Sequence, residues 1–262
     1  MNLIDIGVNL TNPRLYNDRE KHQQDAIAEG VIHQIITGTN YAESVQAVAI
    51  CQEDMQYYSA TAGCHPHDAK DCTAEHIAGF KQLTNDPSVV AVGECGLDFN
   101  RNFSPEEVQR AIFEQQIALA IEVNLPLFLH QRDAHDAFME HLRPHQNQLT
   151  GVCHCFTGTK QEMRDYLDMG FYIGITGWLC DERRGQTLQQ ALSYLPTDRL
   201  MFETDAPYLL PRTIKPKPKS NLNRPANLPW VVSKAEQITG INGEALAEIS
   251  TTNCQTLFNL VR

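Results

Sequence analysis

Short apolar runs alternate with amphipathic helical stretches from one end of the chain to the other, and no other feature constrains the fold as strongly. The runs that read as strands are Leu3–Val8, Gln34–Thr37, Tyr58–Ala62, Val89–Gly93, Leu125–Leu129, Gly151–Cys155, Phe171–Ile175 and Leu200–Glu203. Helical patterns lie between them near 20–30, 41–53, 73–85, 105–123, 134–143, 160–169 and 187–194, and two more follow near 227–239 and 243–258. Strands separated by helices specify a parallel sheet, because parallel neighbours need a crossover connection. Eight such units in 262 residues predict one (β/α)8 TIM-type barrel domain spanning 1–262. The clearest helix start is Ser104-Pro105-Glu106-Glu107. There Ser104 is expected to cap, Pro105 suits the first turn and Glu107 closes a capping box. Val108, Ala111, Ile112 and Leu119 then mark the buried stripe of that helix.

Charge narrows the function. The chain carries 21 basic and 32 acidic residues, a net charge of −11. Such a protein does not coat nucleic acid through counterion release, so a nucleic-acid role needs a local basic patch or a bound cation. One segment qualifies: Arg212–Arg224 has five basic residues and no acidic one, with Pro216 and Pro218 inside it. It reads as a rigid loop after the eighth strand. The eight cysteines read as reduced thiols rather than a disulfide framework, since Met1-Asn2-Leu3-Ile4-Asp5 has no basic, apolar leader pattern. No run approaches the ~18 apolar residues of a membrane span. A cytoplasmic monomer with no membrane partner is the expectation.

In a parallel barrel the C-terminal strand ends carry the chemistry. Here they are polar. The third strand leads into Gly63-Cys64-His65-Pro66-His67, and the fourth into Gly93-Glu94-Cys95-Gly96-Leu97-Asp98. The fifth ends in Leu129-His130 with Arg132 just after, the sixth holds His154, and the eighth ends in Glu203-Thr204-Asp205. A lone histidine at a strand end is more often a structural residue. Four ligand-type side chains (Glu94, His130, His154 and Asp205) at four strand ends point to a metal site. Two imidazoles and two carboxylates suit Zn, Mn or Fe, and a shell richer in water suits Mg. Strand alternation aims His154 inward with Cys153 and Cys155 outward, and sets Glu203 and Asp205 on one face opposite Thr204.

These motifs, with His154-Cys155-Phe156-Thr157-Gly158 and Glu203-Thr204-Asp205-Ala206-Pro207-Tyr208, strongly resemble the TatD family of metal-dependent deoxyribonucleases, from Asp5 to the last helix. The resemblance implies an amidohydrolase-like barrel that hydrolyses phosphodiesters from a DNA or RNA 3′ end, in DNA repair or turnover. By position it makes Glu94, His130 and His154 metal ligands, with Mg2+ the expected ion and Mn2+ or Zn2+ the alternatives. Asp205 binds metal or handles the attacking water. His65 lies near the scissile phosphate. Apart from the resemblance, Arg132 is a candidate phosphate contact, and Arg224 is a candidate substrate contact or a solvent-facing residue. Two departures stand out. Many members carry His-x-His at the end of the first strand, where this chain has Gly7 and Asn9, so a second metal is expected to bind weakly. Asn223-Arg224-Pro225 stands where Asn-Glu-Pro is usual. Two rival readings use the same residues: a deacylase of D-aminoacyl-tRNA or a small-molecule amidohydrolase, and a non-enzymatic partner protein. Alanine at Glu94 separates them, because it abolishes catalysis and spares a scaffold.

Overall fold

Eight strands form where the sequence concentrates apolar residues. In the computed structural model, which describes residues 1–260, they are β1 (Leu3–Val8), β2 (Val31–Ile36), β3 (Tyr58–Ala62), β4 (Val89–Asp98), β5 (Leu127–Arg132), β6 (Gly151–Cys153), β7 (Tyr172–Ile175) and β8 (Leu200–Phe202). The helices are α1 (Pro13–Tyr16), α2 (Arg19–Ala28), α3 (Tyr41–Cys51), α4 (Ala74–Leu83), α5 (Glu106–Val123), α6 (His135–Leu142), α7 (Lys160–Asp168), α8 (Gln186–Leu192), α9 (Leu228–Thr239) and α10 (Gly243–Phe258). The strands follow one another in sheet order from β1 to β8, and the pairs β1–β2, β3–β4, β4–β5, β5–β6 and β7–β8 are parallel. Every residue of β1, β3 and β4 is buried, as strands covered on both faces require. The described residues fall into two compact units.

One unit holds β1, β2, β7 and β8 with α1, α2 and α7 to α10. Beyond β8 the chain runs beside β1: Val8 bridges Ala206, and Asn9 N donates to Ala206 O at 2.8 Å. Helix α10 completes β8 with polar side chains. Ser250 Oγ accepts from Phe202 N at 3.1 Å, and Asn253 Nδ2 donates to Leu200 O at 2.8 Å. The α1 turn was not expected from periodicity. It is a single turn, fixed by Asn12 as cap and Pro13 in the first position.

The other unit holds β3 to β6 and α3 to α6. Its core includes Phe113 of α5 stacked on Phe138 of α6, ring centroids 5.1 Å apart. The buried stripe of α5 runs through Gln109, Ile112, Phe113, Gln116, Ile117, Leu119 and Ala120, while Ala111 is exposed. Of the expected stripe Ile112 and Leu119 are buried, but Val108 is half-buried and Ala111 is exposed, because the buried face is displaced toward two glutamines that point inward to bind loop backbone. The expected cap is also corrected. Pro105, not Ser104, occupies the cap position, and no capping box forms. Ser104 is fully buried and is spent elsewhere: its Oγ donates to His67 O at 2.8 Å and accepts from Lys70 N at 3.0 Å.

Candidate active site

Strand β4 runs five residues beyond its expected end, and the reason is a bulge. Gly93 pairs with Phe128 and Cys95 with Leu129, so Glu94 is an extra residue with no partner on β5. Such an insertion re-aims a side chain that strict alternation would direct otherwise. The flanking glycines permit it. Gly96 has φ +146°, and a Cβ there would lie 1.8 Å from His130 O. Three imidazole nitrogens then meet one oxygen of Glu94. His154 Nε2 lies 2.7 Å from Oε1, His130 Nδ1 3.0 Å and His65 Nε2 3.3 Å. Burial alone would raise the Glu94 carboxyl, but these histidines outweigh it and hold the group well below the usual carboxylate range. An ionised carboxylate among imidazoles is a donor set fit for a divalent cation.

His65, Glu94 and His130 offer ligand atoms that all lie within 4.8 Å of one another. The three are not equivalent. His65 Nδ1 accepts a hydrogen bond from His67 N at 3.1 Å, so in the neutral ring the proton sits on Nε2, the atom facing Glu94. Burial pushes the His65 imidazole down to about 4, which keeps it neutral near pH 7. His65 therefore presents an N–H donor, suited to a phosphate oxygen, rather than a lone pair for a metal. His130 is the better ligand. Its Nδ1 faces Glu94 at 3.0 Å, while its Nε2, buried and without a hydrogen bond, faces Asp98 Oδ2 at 3.5 Å. Burial alone would lower the His130 imidazole; Asp98 and Glu94 beside it outweigh that and raise it.

Two supporting layers escaped the sequence reading. Asp98 Oδ2 sits 2.7 Å from His67 Nε2, and its Oδ1 accepts from Asn100 N and Arg101 N at 3.0 and 2.9 Å. Burial opposes ionisation, yet His130 beside it and the hydrogen bonds from His67 and backbone hold the Asp98 carboxyl far below its ordinary value. Asp98 thus orients His130 from behind, as outer partners of ligating histidines do. Helix α5 supplies the second layer. Gln116 Oε1 accepts from Cys64 N at 2.7 Å and its Nε2 donates to Cys64 O at 3.0 Å. Gln109 does the same for Asp98, at 2.8 and 3.1 Å. Two amides thereby pin the backbone beside His65 and at Asp98. Both histidine and aspartate lay within motifs singled out from sequence; the glutamines carried no signal beyond their helix.

His154 follows the last residue of β6, and Cys155 has φ +45°. The alternation argument for His154 therefore does not apply, because the strand stops at Cys153. Arg132 closes β5 and is partly exposed.

In the other unit, strand alternation past β8 is likewise corrected. Asp205 has φ +53°, so Glu203 and Asp205 do not share a face by pleat. Glu203 is fully buried and accepts from Cys155 N. Thr204 is fully buried, its N and Oγ donating to Asp5 at 2.9 and 2.6 Å. Burial pushes the Asp5 carboxyl up to about 8. Asn9 Nδ2 donates to Asp205 Oδ1 at 2.9 Å. Asn9 thus holds Asp205 in place. Arg224 is exposed on this unit, and its charge is felt by His22 and Asp25.

A family model described as TatD related DNase matches residues 4–259. A protein named 3′-5′ ssDNA/RNA exonuclease TatD from Erwinia tasmaniensis is 47% identical over 98% of this chain and 100% of its own length. One of the same name from Enterobacter lignolyticus is 48% identical over 98% of this chain and 99% of its own. The crystal structure of YJJV, a TatD homologue from Escherichia coli, superposes with a TM-score of 0.89 at 28% identity, covering 99% of this chain and 98% of that one. With the sequential order of parallel strands, that likeness gives the (β/α)8 TIM-type fold. The chain belongs to the TatD-related DNase family.

Proposed function

We propose that this chain is a divalent-metal-dependent 3′-5′ exonuclease of single-stranded DNA and RNA, working as one hydrolase domain. The observation that carries the reading is the convergence of His130 and His154 on the ionised Glu94. Relatives that match over their full length carry the name of that activity.

Glu94, His130 and His154 would hold the ion, proposed to be Mg2+, although the two imidazoles also suit Mn2+ and Zn2+. When bound, a divalent ion supplies Lewis acidity that offsets charge on the phosphoryl group and acidifies water. Water adds to phosphorus and the bond from phosphorus to the 3′ oxygen breaks. A nucleoside 5′-monophosphate leaves, and the 3′ oxygen of the shortened strand takes a proton from solvent to become a hydroxyl. Asp205, oriented by Asn9, takes the proton from water; its family position supports this role. His65 donates its Nε2 proton to a phosphate oxygen in a hydrogen bond, and Arg132 neutralises phosphate charge. The proposed setting is a cytoplasmic monomer; among the described residues, no helix is long and apolar enough to cross a membrane.

The test is a 5′-labelled single strand incubated with metal-stripped protein, with Mg2+, Mn2+ or Zn2+ restored in turn. A metal-dependent ladder is expected, and Glu94→Ala lowers its rate by about a thousandfold. An intact strand with every metal overturns the reading.

A further inference from the structure

A cavity of about 650 Å3 lies wholly within the unit built on β1, β2, β7 and β8. Arg14, Trp178, Arg184, Tyr208, Lys217 and Lys219 line it. Its charge is unlike that of the rest of the molecule. Of its two acids, Asp181 is taken by Arg184 at 2.9 Å and Glu182 faces Arg212 at 3.8 Å. Arg14, Lys217 and Lys219 have no acidic partner among the described residues. Arg14 is held instead by Asn221, Nη2 to Oδ1 at 3.3 Å. On a chain of net charge −11, most of the surface repels a polyanion, and a cavity with cations in excess admits one. The lining is also aromatic. The Arg184 guanidinium lies 4.3 Å from the Trp178 ring centre, and Tyr208 is 48% exposed. Its hydroxyl accepts from Asn12 Nδ2 at 3.1 Å. Flat rings and guanidinium planes beside unpaired cations are the surfaces that nucleobases and phosphates use together. The wall is tied to Asp205, because Tyr208 N donates to Asp205 O at 2.9 Å.

We propose that this cavity binds about one or two uncleaved nucleotides of the single-stranded substrate, with bases on Trp178 and Tyr208 and phosphates on Arg14, Lys217 and Lys219. The inference rests on the strand-hydrolysis reading above. It assigns a use to the basic, proline-rich loop, which the metal chemistry leaves unused.

The chain has two tryptophans, so Trp230→Phe leaves Trp178 as the sole indole reporter. The full-length variant in Mg2+ is titrated with a phosphorothioate octathymidylate, which resists hydrolysis. The strand should quench Trp178 fluorescence. Adding Tyr208→Ala, or the pair Lys217→Ala and Lys219→Ala, should weaken binding about tenfold. The lysine pair should also lower the slope of log affinity against log salt by about 1.4, and arginine at both positions should restore it. Unchanged affinity in both alanine variants overturns the proposal. So does thymidine 5′-monophosphate binding as tightly as the strand, which would make the cavity a free-nucleotide site. Poly-glutamate competing as well as the strand overturns it too, since charge alone would then suffice. Cleavage of an ordinary strand is followed in parallel. Cleavage without quenching defeats this inference alone, and quenching without cleavage defeats the hydrolytic reading.

Discussion

At the scale of single residues, protons and lone pairs decide which side chains can ligate. His65 spends its Nδ1 on His67 N, whereas His130 turns its Nδ1 to Glu94 and its Nε2 to Asp98. That distinction is invisible in a string of letters, because it depends on which atom each ring turns toward. Strand ends mark Glu94, His130 and His154 as candidates in the sequence, and the structure brings the three together. Asp98 was legible only as part of a motif, with no sign that its carboxylate backs His130. Asp98→Asn keeps the size of the side chain and removes its charge. It should weaken Mg2+ or Mn2+ binding by about 10- to 100-fold, measured by calorimetric titration. Unchanged affinity would show that Asp98 serves only the turn at Asn100 and Arg101.

At the scale of elements, helix α5 does two jobs. Its apolar residues fill a core, and its two inward glutamines hold the segments at Cys64 and Asp98. Hydrophobic period reveals the first job and misses the second, since a glutamine on a helix reads as solvent-facing. Replacing Gln116 with Leu leaves Cys64 N and O unpaired in a buried site. The cost is about 2 kcal/mol of stability by urea unfolding, together with reduced activity through displacement of His65. A stability change without an activity change would sink the positioning role. The β4 bulge is a similar case. A run of apolar and small residues predicts a strand, but one extra residue at Glu94 emerges only from pairing with β5.

At the scale of the whole molecule, a buried carboxyl sets part of the pH dependence of stability. Asp5 rises from its ordinary 3.8 to about 8 on folding, so the folded chain holds a proton that the unfolded chain releases. Its contribution is fully present below about pH 4 and is lost as pH rises through about 8. Asp5→Asn cannot titrate. Its urea midpoint relative to the parent should therefore improve steadily between pH 5 and 8, and a constant difference would refute the assignment. The sequence by itself determined the alternation of strands and helices, the acidic charge and the ligand-type residues at strand ends. Those follow from local periodicity and residue chemistry, which neighbours in the chain already encode. The tertiary structure decided the bulge that aims Glu94, the hydrogen bond that fixes the His65 tautomer, Asn9 as the support of Asp205, and the cationic cavity around Trp178. The bulge, the Asn9 support and the cavity depend on residues far apart in sequence meeting at hydrogen-bond or van der Waals distance, and the His65 bond, although it spans only two residues, depends on a ring orientation that no local pattern encodes.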